Sequence, residues 1–148
     1  VFHAMFFKGF VEMNKKEVPI EDVAFDEFVE LLHVIHPSRK PITETTVAFL
    51  LRLADRYNID YVVRECAKFL IAPNSKDIPV AKKLVWADQL CFSKFKAVCD
   101  GVLKRFEDVG QLDATAEYAE LSAPARAAVL DRAVWLGHSM NTQSNTRP

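Results

Sequence analysis

Glycine is scarce in this chain, with 4 among 148 residues, and cysteine numbers only 3. Few glycines argue against a turn-rich β architecture, whose tight hairpins draw on left-handed residues. The abundant Leu, Ala, Lys, Glu and Val favour helix instead. The three cysteines, Cys66, Cys91 and Cys99, are odd in number and lack metal-ligand spacing. They exclude a disulfide framework and read as reduced thiols of a cytosolic or nuclear protein. Charge imbalance is missing as well. Against 20 acidic residues stand 19 basic ones, a net charge of −1, which gives no reason to expect a nucleic-acid or anionic-membrane partner. No apolar run approaches the roughly 20 residues that span a bilayer. Residues 1–12 lack the basic region and small-residue cleavage site of a signal peptide. The chain opens on Val1 rather than Met, which reads as a fragment or a processed piece. Catalytic text is absent too: there is no P-loop, no G-x-S-x-G and no H-E-x-x-H,. No catalytic residue, cofactor or metal site is expected.

What is present is a core-forming composition. Half the residues are hydrophobic and 26% are charged, enough for one mainly α domain with a small appendage. The opening VFHAMFF reads as the end of a helix, with Gly9 as its stop,. Phe2, Met5, Phe6, Phe7 and Phe10 crowd that region beyond what one helix face needs. Either the helix is buried on several sides or part of it meets another chain. Val18 and Ile20 alternate like one short strand, which Pro19 confines to an edge. Phe25, Phe28, Val29, Leu32 and Ile35 then follow at helical spacing, and Pro37 ends that helix,. Thr43 or Thr45 can cap the next helix, which carries Val47, Leu50, Leu51 and Ala54 on one face. Asn58 suits its end because Asn tolerates the left-handed conformation. Ile59, Val62, Val63, Cys66, Phe69 and Leu70 form a further stripe.

A second helix pair repeats the first at an offset of 33 residues. Leu51 matches Leu84, Ala54 matches Ala87 and Asp55 matches Asp88. Beyond a break, Val62 matches Phe95, Cys66 matches Cys99 and Leu70 matches Leu103. Each unit reads as a helical hairpin whose alanine lets two helices approach closely. Two units fall short of the three or more that a stacked array needs, and residues 113–136 supply no third copy. Residues 113–121 and 125–136 make a dissimilar third pair, with Ser122 as N-cap, Pro124 in the first turn, and Val129, Leu130, Ala133 and Val134 as the apolar face,. Residues 138–148 are polar and read as a disordered tail.

Few side chains offer chemistry. His33 and His36 lie three apart on one helix, with Glu30 as the one third ligand in reach,. Two histidines near a helix C-terminus are explained by the partial negative charge there. Cys66 and Cys99 fall on apolar stripes as small hydrophobes. Asp55 and Asp88 suit capping or a polar contact in the hairpin. Lys15-Lys16 and Ser38-Arg39-Lys40 are small basic clusters of solvated loops, not a nucleic-acid surface.

Taken in order, these pieces resemble a known family. V-F-H-A-M-F, then apolar-x-Glu, then K-K-E-V-P-I-E-D-V and F-D-E-F-V-E-L-L-H-V-I-H, resemble the middle of a BTB (POZ) domain. L-L-R-L-A-D-R-Y-N-I-D-Y-V-V-R-E-C-A-K-F-L and K-K-L-V-W-A-D-Q-L-C-F-S-K-F-K-A-V-C resemble its closing helices. H-V-I-H-P-S-R-K-P-I-T is typical of nematode BTB proteins, which are often joined to a MATH domain. The resemblance implies a mainly α (α+β) fold. Residues 1–106 would be a partial BTB/POZ domain with one residual strand, lacking its first strands and helix, and residues 107–137 a C-terminal helical pair. It also implies a non-enzymatic role, as substrate adaptor for a cullin-3 ubiquitin ligase. The family's docking signature is an apolar residue, any residue, then Glu, and Phe10-Val11-Glu12 fits it. The apolar side chain would fill a pocket in the cullin-3 N-terminal region while the carboxylate orients the dock. Ala4 and Met5 would line the same groove. His36 stands where many members carry tyrosine, a change that keeps a ring but alters its size and charge. A homodimer is left open, because the family's dimer elements are among those the chain lacks. Two other readings stand beside this one: a self-associating BTB scaffold without ligase role, and a short helical-repeat module that would fold from residues 43–136 alone.

Overall fold

The computed structural model describes residues 17, 20–37, 39–88, 90 and 92–144. They form two compact units, Val1–Glu65 and Cys66–Pro148, with the boundary inside one helix. The described residues are helical, as expected, and contain no strand. The expected strand over Val18 and Ile20 is therefore corrected at Ile20, which has no regular structure; Val18 lies outside the described residues. The chain turns at once after Ile20. Asp22 takes a left-handed φ of 58°, and Arg56 donates to the Glu21 carbonyl at 3.1 Å. A segment committed to that turn has no extended run with which to build a ladder.

The first unit holds α1 (Phe25–Ile35), α2 (Val47–Arg56) and the start of α3 (Asp60–Ile71). Asp26 and Glu27 in the first turn of α1 suit the positive end of the helix dipole,. Pro37 ends it, as expected. The buried face of α1 is not the expected one, however. Leu31 and Val34 are buried, whereas Phe25, Leu32 and Ile35 are exposed. Helix α1 is apolar on two sides, so spacing alone could not say which side the core takes. Neither Thr43 nor Thr45 caps α2. Thr46 stands at the N-cap, and the Thr43 carbonyl accepts the Val47 N–H at 3.0 Å. Asn58 does take the left-handed conformation, with φ 52°.

The second unit adds a 3-10 turn (Pro73–Ser75), α4 (Val80–Asp88), α5 (Phe92–Val102), α6 (Phe106–Asp113), α7 (Ala116–Glu120) and α8 (Ala123–Ser144). The repeat positions lie in the core of their units: Leu51, Ala54, Val62, Cys66 and Leu70, and their counterparts Leu84, Ala87, Phe95, Cys99 and Leu103, are all buried. Helix α5 packs on α4 and on α8. The approach of α5 to the end of α3 is close at Gly101, where an added Cβ would meet the Ile71 side chain at 2.7 Å. Lys83, buried in α4, donates to the buried Ser75 hydroxyl at 2.9 Å, and that hydroxyl donates to the Leu70 carbonyl at 3.0 Å.

Three features of this unit depart from expectation. Helix α6 covers residues 106–113, a stretch for which spacing named no helix of its own. Asp108 supports its start by accepting the N–H groups of Arg105 at 2.9 Å and Lys104 at 3.1 Å,. The helix expected over 113–121 shrinks to α7, because Thr115 turns back to donate to the Leu112 carbonyl at 2.7 Å. Helix α8 runs on to Ser144, so residues 138–144 are helical where a disordered tail was expected. No Gly or Pro intervenes between His138 and Ser144, and extending an existing helix is far easier than starting one.

Candidate docking site

Helix α1 is held on its inner side and open on its outer side. Inward, Leu31 and Val34 are buried, and the Phe28 ring meets Tyr57 edge-on at 6.3 Å between centroids. Two α2 arginines add grip at the rim. Arg52 pairs with Glu27, and Arg56 pairs with Asp22 at 3.8 Å. At the far end Lys40 reaches back to Glu30 at 2.6 Å. The exposed pairs contribute little stability each, but they engage Glu27 and Glu30 of α1.

Outward, Phe25 is 80% exposed and Leu32 45%, with Ile35 at the same helix end. Phe25 and Leu32 are seven apart and Leu32 and Ile35 three apart, so one ridge runs the length of the helix. It ends at His36, which is exposed and serves as the C-cap, its N–H donating to the Leu32 carbonyl at 2.8 Å. The chain then doubles back. Arg39 takes φ 47°, donates its N–H to the His36 carbonyl at 2.8 Å, and lays its guanidinium over the Tyr61 ring at 5.2 Å. The loop after His36 is thus fixed by backbone bonding and ring stacking.

Of the residues singled out from the sequence, His36 is placed at the end of this ridge. Ala4, Met5, Phe10, Val11 and Glu12 lie outside the described residues. Other candidates carry less. Glu30 is engaged by Lys40, and among the described residues no three His, Cys, Asp or Glu side chains are grouped to hold a metal. Burial, aided by the neighbouring Asp100 carboxylate, pushes the Cys99 thiol up to about 11, which makes it a poor nucleophile,. A cleft of about 270 Å³ beside Pro79, Gln111 and Thr115 includes Asp108, whose carboxylate already serves α6. Asp88 and Asp55 diverge despite their repeat. Asp88 accepts the Ser122 N–H and hydroxyl, both at 2.7 Å, so it braces the N-cap of α8, whereas Asp55 is exposed. Among the described residues, no helix is long and apolar enough to cross a membrane.

The profile of the BTB/POZ domain matches residues 1–74. The chain belongs to the BTB/POZ family. It is 46% identical over 132 residues to BTB and MATH domain-containing protein 38 of Caenorhabditis elegans, covering 89% of this chain and 34% of that protein. It is 31% identical over 133 residues to BTB and MATH domain-containing protein 36 of the same organism, covering 90% and 41%. Kelch-like protein 40 of Xenopus laevis is 36% identical over 69 residues, 47% of this chain and 11% of that protein. The chain therefore spans well under half the length of these relatives. No solved structure matches it at a significant level. As a BTB/POZ chain it is a protein–protein interaction module, and the outer ridge of α1 lies within the matched residues.

Sequence reasoning missed a second exposed apolar surface, on α8. Leu130, Val134 and Trp135 are all more than half exposed. Its signal was in plain view: Val129, Leu130, Ala133 and Val134 are two adjacent pairs, wide enough to serve two faces rather than one.

Proposed function

We propose that this BTB/POZ chain is the ligase-docking part of a substrate adaptor and captures the N-terminal region of cullin-3. Phe10 is the apolar plug and Glu12 the orienting carboxylate, with Val11 between them and Ala4 and Met5 lining the groove. His36 closes its edge. The partial BTB domain extends over residues 1–106, the helical extension over 107–137, and the chain works in the cytoplasm or nucleus.

The observation that supports this reading best is the outer ridge of α1. A helix whose core face is already filled by Leu31 and Val34 still presents Phe25, Leu32 and Ile35 to solvent and ends at the exposed His36. An exposed apolar ridge of this kind marks a contact surface. Aromatic and aliphatic anchors dominate such contacts, and a charged neighbour sets orientation and encounter rate.

The test is a pull-down of the cullin-3 N-terminal region with the parent chain and with Phe10→Ala and Glu12→Ala. The parent captures cullin-3, and each variant loses capture while keeping its far-ultraviolet circular dichroism. Variants that capture as well as the parent would remove the assignment.

A further inference from the structure

Helix α8 has an inner and an outer apolar face. Ala125, Ala128, Val129 and Leu136 are buried inward, where the helix packs on α5 and α6. Outward, Ala123, Ala127, Leu130 and Val134 recur at spacings of four, three and four residues and are exposed. That period sets them in one stripe about three turns long. Along one edge of the stripe Asp131 and Trp135 stand four residues apart, neighbours on the helix surface and both exposed. Arg126 lies on the other edge.

A cleft of about 320 Å³ opens beside Asp131 and Trp135, lined also by Lys96, Asp100 and Arg132. Its two cations are already engaged. Arg132 donates to the carbonyls of Leu103 at 3.1 Å and Asp100 at 3.4 Å, and lies 3.7 Å from the Asp100 carboxylate. Lys96 reaches that same carboxylate at 3.8 Å. Held in this way, the Arg132 guanidinium stacks on the Trp135 ring at 4.4 Å and steadies it,. More than half of the Trp135 surface still faces solvent. Asp131 is the one lining charge that enters no ion pair among the described residues. The cleft therefore offers an incoming cation an unpaired carboxylate and a steadied indole ring. Arg126 repels a second cation from the far edge of the stripe, so the approach has a side.

We propose that this face of α8 is a docking site for a basic amphipathic helix of another protein. A lysine or arginine of that helix enters the cleft between the Asp131 carboxylate and the Trp135 ring. Its apolar side chains cover Leu130 and Val134, and the small Ala123 and Ala127 let the two helices approach closely. The free charge of the cleft sets the sign of the partner, and the helical period of the stripe sets its form.

Tryptophan emission of the whole chain tests this. Trp86→Phe leaves Trp135 as the one tryptophan, and the probe is a synthetic helix with leucine on one face and lysine on the other. Adding it shifts the emission to shorter wavelength and saturates, whereas a twin with glutamate for lysine leaves the emission unchanged. Asp131→Asn, at an exposed position, keeps the circular dichroism and weakens binding of the lysine helix by about tenfold. Leu130→Ala weakens it as well. No shift with the lysine helix up to about 1 mM overturns the proposal. So does equal binding of the glutamate twin, or indifference to either substitution. Emission that moves with the concentration of the chain alone places a second copy on this face and overturns it too.

Discussion

Helices α1 and α8 solve the same problem differently. Each is apolar on two sides, buries one and exposes the other. Two of the three acidic side chains of α1, Glu27 and Glu30, pair within the chain with Arg52 and Lys40, while Asp26 beside Phe25 is exposed. Arg126 and Asp131, which edge the outer stripe of α8, enter no ion pair among the described residues. An outer ridge whose flanking glutamates are already paired leaves recognition chiefly to shape and apolar contact, with Asp26 beside Phe25 as the carboxylate still open to a partner. A stripe flanked by unpaired charges of both signs suits a partner that supplies matching charges. The difference shows that exposure alone does not define an interface. The state of the surrounding charges says what kind of partner it fits.

The comparison breaks most visibly if the inner and outer faces prove equivalent. Leu31 and Leu32 are sequence neighbours about 100° apart around α1, the first buried and the second exposed, and Leu136 and Leu130 are the buried and exposed counterparts on α8,. Leu31→Ala and Leu136→Ala should each destabilise by about 2–5 kcal/mol, whereas Leu32→Ala and Leu130→Ala should stay within about 1 kcal/mol. Urea titrations with circular dichroism check this, and equal losses across the four would erase the distinction.

A smaller effect sharpens the picture of how tightly the second unit is packed inside. Gly101→Ala gains up to about 1 kcal/mol of helix propensity but drives a methyl group into Ile71, an overpacking cost of about 1–3 kcal/mol. The expected outcome is a net loss of about 1 kcal/mol by the same titration, and no such loss when Gly101→Ala is made in an Ile71→Ala chain, which lacks all three carbons the methyl would meet. A more stable Gly101→Ala chain would show slack at that contact.

The subtlest effect concerns Cys99, on the inner side of α5. Its thiol titrates near 11 in the folded chain against an ordinary 9.0, because burial disfavours the thiolate. The folded state holds that proton more tightly than the unfolded state. The associated stability is therefore complete below pH 9 and is lost as pH rises toward 11. Thermal melts should show a steeper decline over that window for the parent than for Cys99→Ala, after allowing for their different starting stabilities. Parallel declines would place the alkaline sensitivity in other groups.

Much of this was legible from residues alone. The helical class followed from composition, and the 33-residue echo identified core positions such as Leu51 and Leu84 through spacing. Asn58 declared its left-handed turn because few other residues adopt it without strain,. What escaped were choices made by tertiary packing. Phe25, Leu32 and Ile35 share a helical period with each other as well as Leu31 and Val34 do, and only the neighbouring helix decides which set is covered. Helix α6 was missed because its start is supported by a reach-back from Asp108 behind Arg105, not by a Ser or Thr that spacing rules look for. The bracing of Ser122 by Asp88 spans 34 residues and leaves no local trace.

The most direct test of the account titrates the cullin-3 N-terminal region calorimetrically into the parent chain, Leu32→Asp and Val134→Asp. The account predicts that Leu32→Asp loses cullin-3 binding while Val134→Asp keeps it. A parent chain that binds no cullin-3, or two variants that bind it equally well, would contradict the account.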